Sequence, residues 1–170
     1  MIRAADVIDE SIVDGDGLRL VVFAQGCAHH CPGCHNPSAL PFEGGYLTDN
    51  ETILEKIRKN PLLDGITFSG GDPFFQIGSF ASLAKAVNEY IVPSNPDFTI
   101  MAYTGYTLEE LFQDIKRYLP LLEQIDILVD GPYMASRKSL DLSFMGSSNQ
   151  RILDVKKSLL ALKPVLYTPE

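Results

Sequence analysis

Residues 18–24 read LRLVVFA, a mostly apolar run of the length expected for a strand buried on both faces. The run follows a turn signal, DGDG at residues 14–17, and leads directly into a loop that contains every cysteine of the chain. In α/β proteins, sites form at the carboxyl ends of parallel strands. This stretch therefore predicts a parallel sheet with a site after its first buried strand.

Short apolar strands recur along the rest of the chain, and amphipathic patterns lie between them. The predicted strands cover residues 66–68, 98–103, 125–129, 151–155 and 165–167. Strand–helix alternation favours a parallel sheet with right-handed crossovers. A full eightfold barrel needs about 250 residues, so this chain can supply only part of one or an open parallel sheet. We expect a single α/β domain, residues 1–170, that forms an incomplete (β/α) barrel.

Apolar stripes at helical spacing predict three helices between these strands. The stripes cover residues 53–57, 80–91 and 108–115. A capping box pairs a threonine with a glutamate three positions later and satisfies N–H groups at a helix start. Thr48 with Glu51 is predicted to open the first helix in this way. Thr107 with Glu110 is predicted to open the third.

Composition and charge exclude several classes of protein. The formal net charge of −8 and a pI near 4.8 argue against a nucleic-acid groove and against an anionic membrane surface. The first residues contain no apolar signal core, and no run approaches the roughly 20 apolar residues of a membrane span. We therefore expect a cytoplasmic protein that binds neither nucleic acid nor a membrane.

Three cysteines, Cys27, Cys31 and Cys34, follow the first buried strand in the spacing C-x3-C-x2-C. A disulfide framework would spread an even number of cysteines along a secreted chain, whereas this set is odd and clustered. We therefore interpret the thiols as metal ligands in a reducing compartment.

Two kinds of metal site fit this spacing. A single zinc ion could take the three thiolates together with His29, His30 or His35 as the fourth ligand. An iron–sulfur cubane could bind the thiolates at three irons and leave the fourth open, since the chain has no fourth cysteine. The spacing alone favours neither metal. The size of the domain favours the cluster. Structural zinc loops tend to occur in small domains that need a metal for stability, whereas this domain has room for a substantial core.

A second motif, SGGDP at residues 69–73, follows the strand at residues 66–68. Alone, two glycines at a strand end mark a turn, although they also let backbone groups approach a ligand closely. Together with the cysteine loop, this motif resembles the radical S-adenosylmethionine superfamily. The resemblance implies that the three cysteines hold a [4Fe–4S] cluster and that the open iron and the glycine motif bind S-adenosylmethionine. It also implies reductive cleavage of that cofactor to a 5′-deoxyadenosyl radical.

Four further segments narrow the resemblance within that superfamily. They are CPGC at 31–34, YTGY at 103–106, DGPY at 130–133 and GSSNQR at 146–151. These segments are similar to those of the activating proteins of anaerobic (class III) ribonucleotide reductases. The resemblance implies a protein partner, the reductase, from whose backbone glycine the radical takes a hydrogen atom. It also implies an external electron donor such as a flavodoxin or ferredoxin, because no cysteine remains for a second cluster.

The same resemblance implies a set of residues that bind S-adenosylmethionine. They are Gly33, Cys34, His35, Ser69, Gly70, Gly71, Asp72, Thr104 and Asp130. No side chain is expected to act as a catalytic acid or base, because the cofactor radical abstracts the hydrogen atom.

Several polar residues allow two roles each. Asp72 could bond the methionine amine or orient the Gly-Gly turn, and Asp130 could contact the cofactor or hold its own turn. Arg151 could pair with the cofactor carboxylate, to which a guanidinium is suited by its bidentate geometry, or lie at the surface. His29 and His30 are expected to pack or hydrogen-bond near the cluster.

Three alternatives to this function stay open from the sequence. The chain could activate another glycyl radical enzyme, such as pyruvate formate-lyase, or it could be a radical enzyme that acts on a small molecule. It could also be a zinc-binding interaction module with no catalytic activity.

Overall fold

The computed structural model describes residues 1–169 and contains seven strands and five α-helices. The strands are β1 (Ile2–Ser11), β2 (Arg19–Ala24), β3 (Tyr46–Thr48), β4 (Gly65–Gly70), β5 (Thr99–Tyr103), β6 (Ile127–Asp130) and β7 (Arg151–Asp154). The helices are α1 (Asn50–Lys59), α2 (Ile77–Tyr90), α3 (Leu108–Gln113), α4 (Ile115–Leu122) and α5 (Val155–Ala161). The α/β class predicted from the sequence is confirmed.

All seven strands form one sheet in the order β3-β1-β2-β4-β5-β6-β7. The four central strands β2, β4, β5 and β6 are parallel, as the sequence predicts. The outer strands are not parallel, because β1 pairs antiparallel with β2, β3 with β1, and β7 with β6. The predicted parallel sheet is therefore confirmed for the four central strands, whereas both edges are antiparallel and the sheet as a whole is mixed.

All five helices pack against one face of this sheet. Alternate strand residues such as Leu20, Val22, Ile66 and Phe68 are fully buried there among the apolar stripes of the helices. The predicted stripes of residues 53–57 and 80–91 both belong to this core. The opposite face carries only a small apolar cluster, built around three residues of β5 and β6. The sheet thus has one face under the helices and one under loops.

Of the two predicted helix starts, one differs from the prediction and one is confirmed. Asp49, not Thr48, caps α1 by accepting a hydrogen bond from the Thr52 N–H at 2.8 Å. Thr48 is instead held in β3, where it pairs with Ile2. The capping box of Thr107 and Glu110 is confirmed at the start of α3.

The predicted helix over residues 108–115 is interrupted. The α3 helix ends at Gln113, Asp114 leaves the helical conformation, and a new helix α4 begins at Ile115. The predicted strand at 165–167 is also wrong, because Leu166 forms only an isolated bridge with Leu153 of β7.

The buried guanidinium of Arg19 lies on the face of the sheet away from the helices and holds the loop before β2 in place. Arg19 is 1% exposed, and its N–H groups donate to Thr67, Thr99, Ile66 and Asp16 over 2.7–3.1 Å. Burial lowers the pKa of Arg19 from its ordinary value. These bonds join the starts of three central strands and leave their carboxyl ends free to build a site. Within residues 1–169, no helix is long and apolar enough to cross a membrane.

Candidate functional site

A cavity of about 600 Å³ opens at the carboxyl ends of the central parallel strands. All three cysteines line it, and so do six of the nine residues predicted to bind the cofactor. Those six are Cys34, His35, Ser69, Gly70, Gly71 and Thr104. Because parallel strands present their carboxyl ends at one edge of a sheet, loops far apart in sequence meet around this single space.

The Gly-Gly turn after β4 is bonded to the start of the cysteine loop. Gly70 has a φ of +105°, and a Cβ there would lie 2.3 Å from the Ala24 backbone nitrogen. A Cβ on Gly71 would lie 2.4 Å from the carbonyl oxygen of Gly26. The Gly71 N–H donates to the Ala24 carbonyl at 2.8 Å. Glycine is therefore required here by close backbone packing.

Asp72 does not line the cavity. Its carboxylate is 1% exposed and is bonded to His29 at 2.6 Å, the Thr104 hydroxyl at 2.8 Å, the Gly105 N–H at 2.9 Å and the Phe74 N–H at 2.8 Å. Of the two roles that the sequence left open, this geometry favours orientation of the Gly-Gly turn over a bond to the methionine amine, and the carboxylate also joins neighbouring loops.

Asp130 is likewise 1% exposed and lies behind the cavity wall. It accepts hydrogen bonds from the Leu108 N–H at 2.8 Å and from Nε of Arg151 at 3.0 Å, with a further short contact to Nη2 of Arg151. The Arg151 guanidinium also makes two bonds to Glu109, at 3.0 and 2.7 Å. Arg151 therefore pairs with two carboxylates of its own chain.

Gly33 and His35 form the outer side of the cysteine loop. Gly33 has a φ of +72°, which suits glycine, and a Cβ there would lie 3.6 Å from Ala135 and 3.8 Å from Tyr133. The His35 ring packs against Tyr133 with 4.3 Å between ring centroids. Gly33 itself is not among the residues that line the cavity, whereas Tyr133 is.

The far wall of the cavity was not predicted. It contains Phe23 and Tyr103 from the face of the sheet away from the helices, with Phe144 and Met145 from a loop and Asp14 from the turn before β2. The alternation of side chains along β2 and β5 could have indicated the first two. Burial raises the pKa of Tyr103 above its ordinary value.

The donor set around the cavity fits an iron–sulfur cluster in its chemistry. All three cysteines are free thiols, and thiolates are the usual ligands of such clusters. Burial raises the pKa of Cys27 to about 11, so this thiol is protonated at neutral pH until a metal displaces its proton. Among the described residues, no three His, Cys, Asp or Glu side chains are grouped closely enough to hold one metal ion. The thiols surround a shared space instead.

Comparison with known proteins shows which family this chain resembles. A family model described as a 4Fe-4S single cluster domain matches residues 13–153. The anaerobic ribonucleoside-triphosphate reductase-activating protein of Haemophilus influenzae is 34% identical over 147 residues, which cover 83% of this chain and 90% of the relative. The proteins of the same name from Vibrio cholerae and Enterobacteria phage T4 are each 33% identical, over 90% and 86% of their lengths.

The chain belongs to the family of anaerobic ribonucleoside-triphosphate reductase-activating proteins. The resemblance drawn from the motifs is thereby confirmed. The matched residues 13–153 extend from the turn before β2 to β7. They therefore include all three cysteines, the Gly-Gly turn and every loop that lines the cavity.

Proposed function

We propose that this chain activates an anaerobic ribonucleotide reductase by generating a radical on a backbone glycine of that enzyme. With a [4Fe–4S] cluster and S-adenosylmethionine bound, one external electron would cleave the cofactor to methionine and a 5′-deoxyadenosyl radical. That radical would take a hydrogen atom from the glycine and leave as 5′-deoxyadenosine. Atoms and electrons balance, since the supplied electron and one electron of the sulfur–carbon bond would form a lone pair on the methionine sulfur. The other bond electron would stay on the 5′ carbon, and hydrogen-atom transfer would leave the unpaired electron on glycine.

One observation carries this proposal: three free thiols and a Gly-Gly strand end line the same cavity at the carboxyl edge of a parallel sheet. Cys27, Cys31 and Cys34 would each bind an iron. The backbone of Ser69, Gly70 and Gly71 would receive the amino acid end of the cofactor, because these three residues line the cavity at the carboxyl end of β4.

The remaining predicted site residues would act in two ways. Thr104, Cys34 and His35 line the cavity and would contact the cofactor directly. Gly33, Asp72 and Asp130 lie outside its lining and would act by holding the loops that form it. The apolar wall of Phe23 and Tyr103 would keep water from the radical, which is the contribution that the protein itself makes to cofactor chemistry.

The partner and setting follow from the same features. The reductase is proposed as the protein substrate because the relatives are named for activating it. A flavodoxin or ferredoxin is proposed as the electron donor, because the only three cysteines lie in one loop. A reducing cytoplasm would keep these thiols free. We also propose that the sheet is an incomplete (β/α) barrel, since it ends at β3 and β7 and carries helices on one face only.

Anaerobic reconstitution with iron and sulfide tests the proposed chemistry. The native chain should bind about four irons and four sulfides and, with dithionite, convert S-adenosylmethionine to 5′-deoxyadenosine. The variants Cys27→Ala, Cys31→Ala and Cys34→Ala should each lose the cluster, because no spare cysteine can substitute. Binding of one zinc with no sulfide would contradict the proposal and favour a zinc module. Four irons bound by a triple alanine variant would show that the cysteines are not the ligands.

A further inference from the structure

His29 lies inside the cysteine loop, between Cys27 and Cys31, yet it points toward a different loop. Its side chain is 14% exposed, and Nε2 lies 2.6 Å from Oδ2 of Asp72. The neighbouring His30 is exposed and occupies a left-handed conformation at φ 53°. Two adjacent histidines of one loop therefore have opposite environments, and only the first is tied to the rest of the site.

Asp72, the partner of His29, is buried and forms hydrogen bonds with three loops that follow strands. Oδ2 of Asp72 also accepts from the Thr104 hydroxyl and the Gly105 N–H, which both follow β5. The Asp72 N–H in turn donates to the Gly26 carbonyl, one residue before Cys27, at 3.0 Å. One carboxylate thus joins the loops that follow β2, β4 and β5. A buried carboxylate of this kind is costly to leave without donors.

Ring packing fixes the imidazole in this position. The His29 ring meets Tyr106 edge-on at 4.5 Å and Phe75 at 5.2 Å between centroids. Gly105 lies directly beneath it, since a Cβ there would come within 2.5 Å of the imidazole. The histidine is therefore held by a hydrogen bond at one nitrogen and by aromatic contacts around the ring.

We propose that His29 is a positioning residue that locks the cysteine loop onto the Gly-Gly-Asp turn. The loop after Cys27 makes a left-handed turn at His30 before it reaches Cys31 and Cys34. Within residues 28–33, His29 is the residue whose side chain bonds to another strand-end loop. The bond from His29 to Asp72 sets the distance from the thiols of Cys31 and Cys34 to the backbone of Gly70 and Gly71. The consequence for S-adenosylmethionine rests on the proposed function, whereas the anchoring of the loop does not.

Four variants separate the hydrogen bond from ring packing. His29→Phe keeps a ring and removes the donor. His29→Gln keeps an N–H that can reach Asp72, and His29→Asn is too short to reach it. His30→Asn is the control, because asparagine tolerates the left-handed conformation and the native side chain is exposed.

The first measurement uses hydrogen exchange of the metal-free protein and does not depend on any cofactor. The Cys34 N–H, which donates to the Cys31 carbonyl at 3.2 Å within the loop, should exchange about tenfold faster in His29→Phe and His29→Asn than in the native chain. His29→Gln and His30→Asn should stay close to native. Unchanged exchange in both donor-less variants would overturn the proposal. If His29→Phe fails to fold, the comparison of His29→Asn with His29→Gln decides.

The second measurement uses the reconstituted protein and separates this proposal from the proposed function. His29→Phe and His29→Asn should still bind iron and sulfide, but the KM for S-adenosylmethionine should rise about tenfold, with a smaller change in kcat. The change that the cofactor produces in the electron paramagnetic resonance spectrum of the reduced cluster should weaken, and His29→Gln should restore it. A native KM and spectrum in both donor-less variants would overturn the proposal. A native chain without a cluster would instead refute the proposed function.

Discussion

The Gly71 backbone lies so close to Gly26 that a Cβ on Gly71 would sit 2.4 Å from the Gly26 carbonyl oxygen and 2.7 Å from that of Ala39. Both neighbours are backbone atoms of the segment around the cysteine loop. Gly26 donates to the Ala39 carbonyl at 2.7 Å and immediately precedes Cys27. The second glycine of the Gly-Gly motif therefore helps to set the position of the first cysteine.

Substitution of Gly71 by alanine should accordingly lower the stability of the fold itself, and this loss does not depend on cofactor binding. The added Cβ cannot be accommodated without backbone movement, which costs about 1–3 kcal/mol. The melting temperature of the metal-free protein should fall by roughly 2–4 °C for each kcal/mol. Calorimetry and iron content of the reconstituted Gly71→Ala variant measure both effects, and iron content should fall with stability.

Gly78 provides the matched control for this substitution. It lies in the first turn of α2, is exposed, and a Cβ there would meet no atom within 4 Å. Gly78→Ala should stabilise the protein by about 0.5–1 kcal/mol, because alanine restricts the unfolded chain. A Gly71→Ala variant as stable and as iron-loaded as Gly78→Ala would contradict the close packing described for Gly71.

The link between Arg151, Asp130 and Glu109 predicts a pH-dependent contribution to stability. Arg151→Gln leaves the buried Asp130 carboxylate with the Leu108 N–H as its remaining donor, so the free energy of unfolding at pH 7 should fall by roughly 2–3 kcal/mol. Arg58→Gln removes an exposed pair with Glu51 and should cost at most about 1 kcal/mol.

The pH dependence follows from Glu109. Hydrogen bonds from Arg151 hold the pKa of Glu109 below its usual 4.5. A depressed carboxyl pKa contributes stability that is present above pH 4.5 and is lost as pH falls through the folded value. Urea unfolding should therefore show the largest gap between native and Arg151→Gln at neutral pH and a smaller gap in acid. A gap that widens below pH 4.5 would contradict this assignment.

Burial of Cys27 predicts that the three thiols differ in reactivity in the metal-free protein. Cys27 is 9% exposed and burial raises its pKa to about 11, whereas Cys31 and Cys34 are half-buried. Alkylation requires the thiolate, so iodoacetamide at pH 8 should label Cys27 at least tenfold more slowly than the other two. Peptide mass spectrometry measures the three rates, and equal rates would show that the Cys27 environment is open.

The sequence predicted the parts of the fold that combine burial with a regular period. Residues 18–24 became β2 because their apolar run suits a central strand, and the 53–57 stripe became the buried side of α1. The β1 strand escaped prediction because it lies near the sheet edge, where only Ile2 and Ala4 are buried and acidic residues face outward. Thr48 and Asp49 are both good helix caps, and strand pairing of Thr48 decided between them.

The features of the site likewise fall into those that the sequence predicted and those that it did not. The meeting of the cysteines and the Gly-Gly turn at one cavity was predictable, because each follows the carboxyl end of a strand that the sequence already indicated. The partners of Asp72 and Asp130 were not, since His29 is 43 residues from Asp72 and Arg151 is 21 from Asp130. Phe144 and Met145 join the cavity through a loop without any periodic pattern. Such contacts depend on tertiary packing that no short window of sequence contains.

The most direct test of the proposed activity is the detection of a glycyl radical on the partner. The reduced, reconstituted protein is mixed without oxygen with S-adenosylmethionine and, separately, with the anaerobic ribonucleotide reductase or pyruvate formate-lyase of the same organism. Electron paramagnetic resonance should show a glycyl-radical doublet with the reductase, absent when Cys31→Ala replaces the native chain. A doublet on the lyase and none on the reductase, or no doublet with either, would contradict the account.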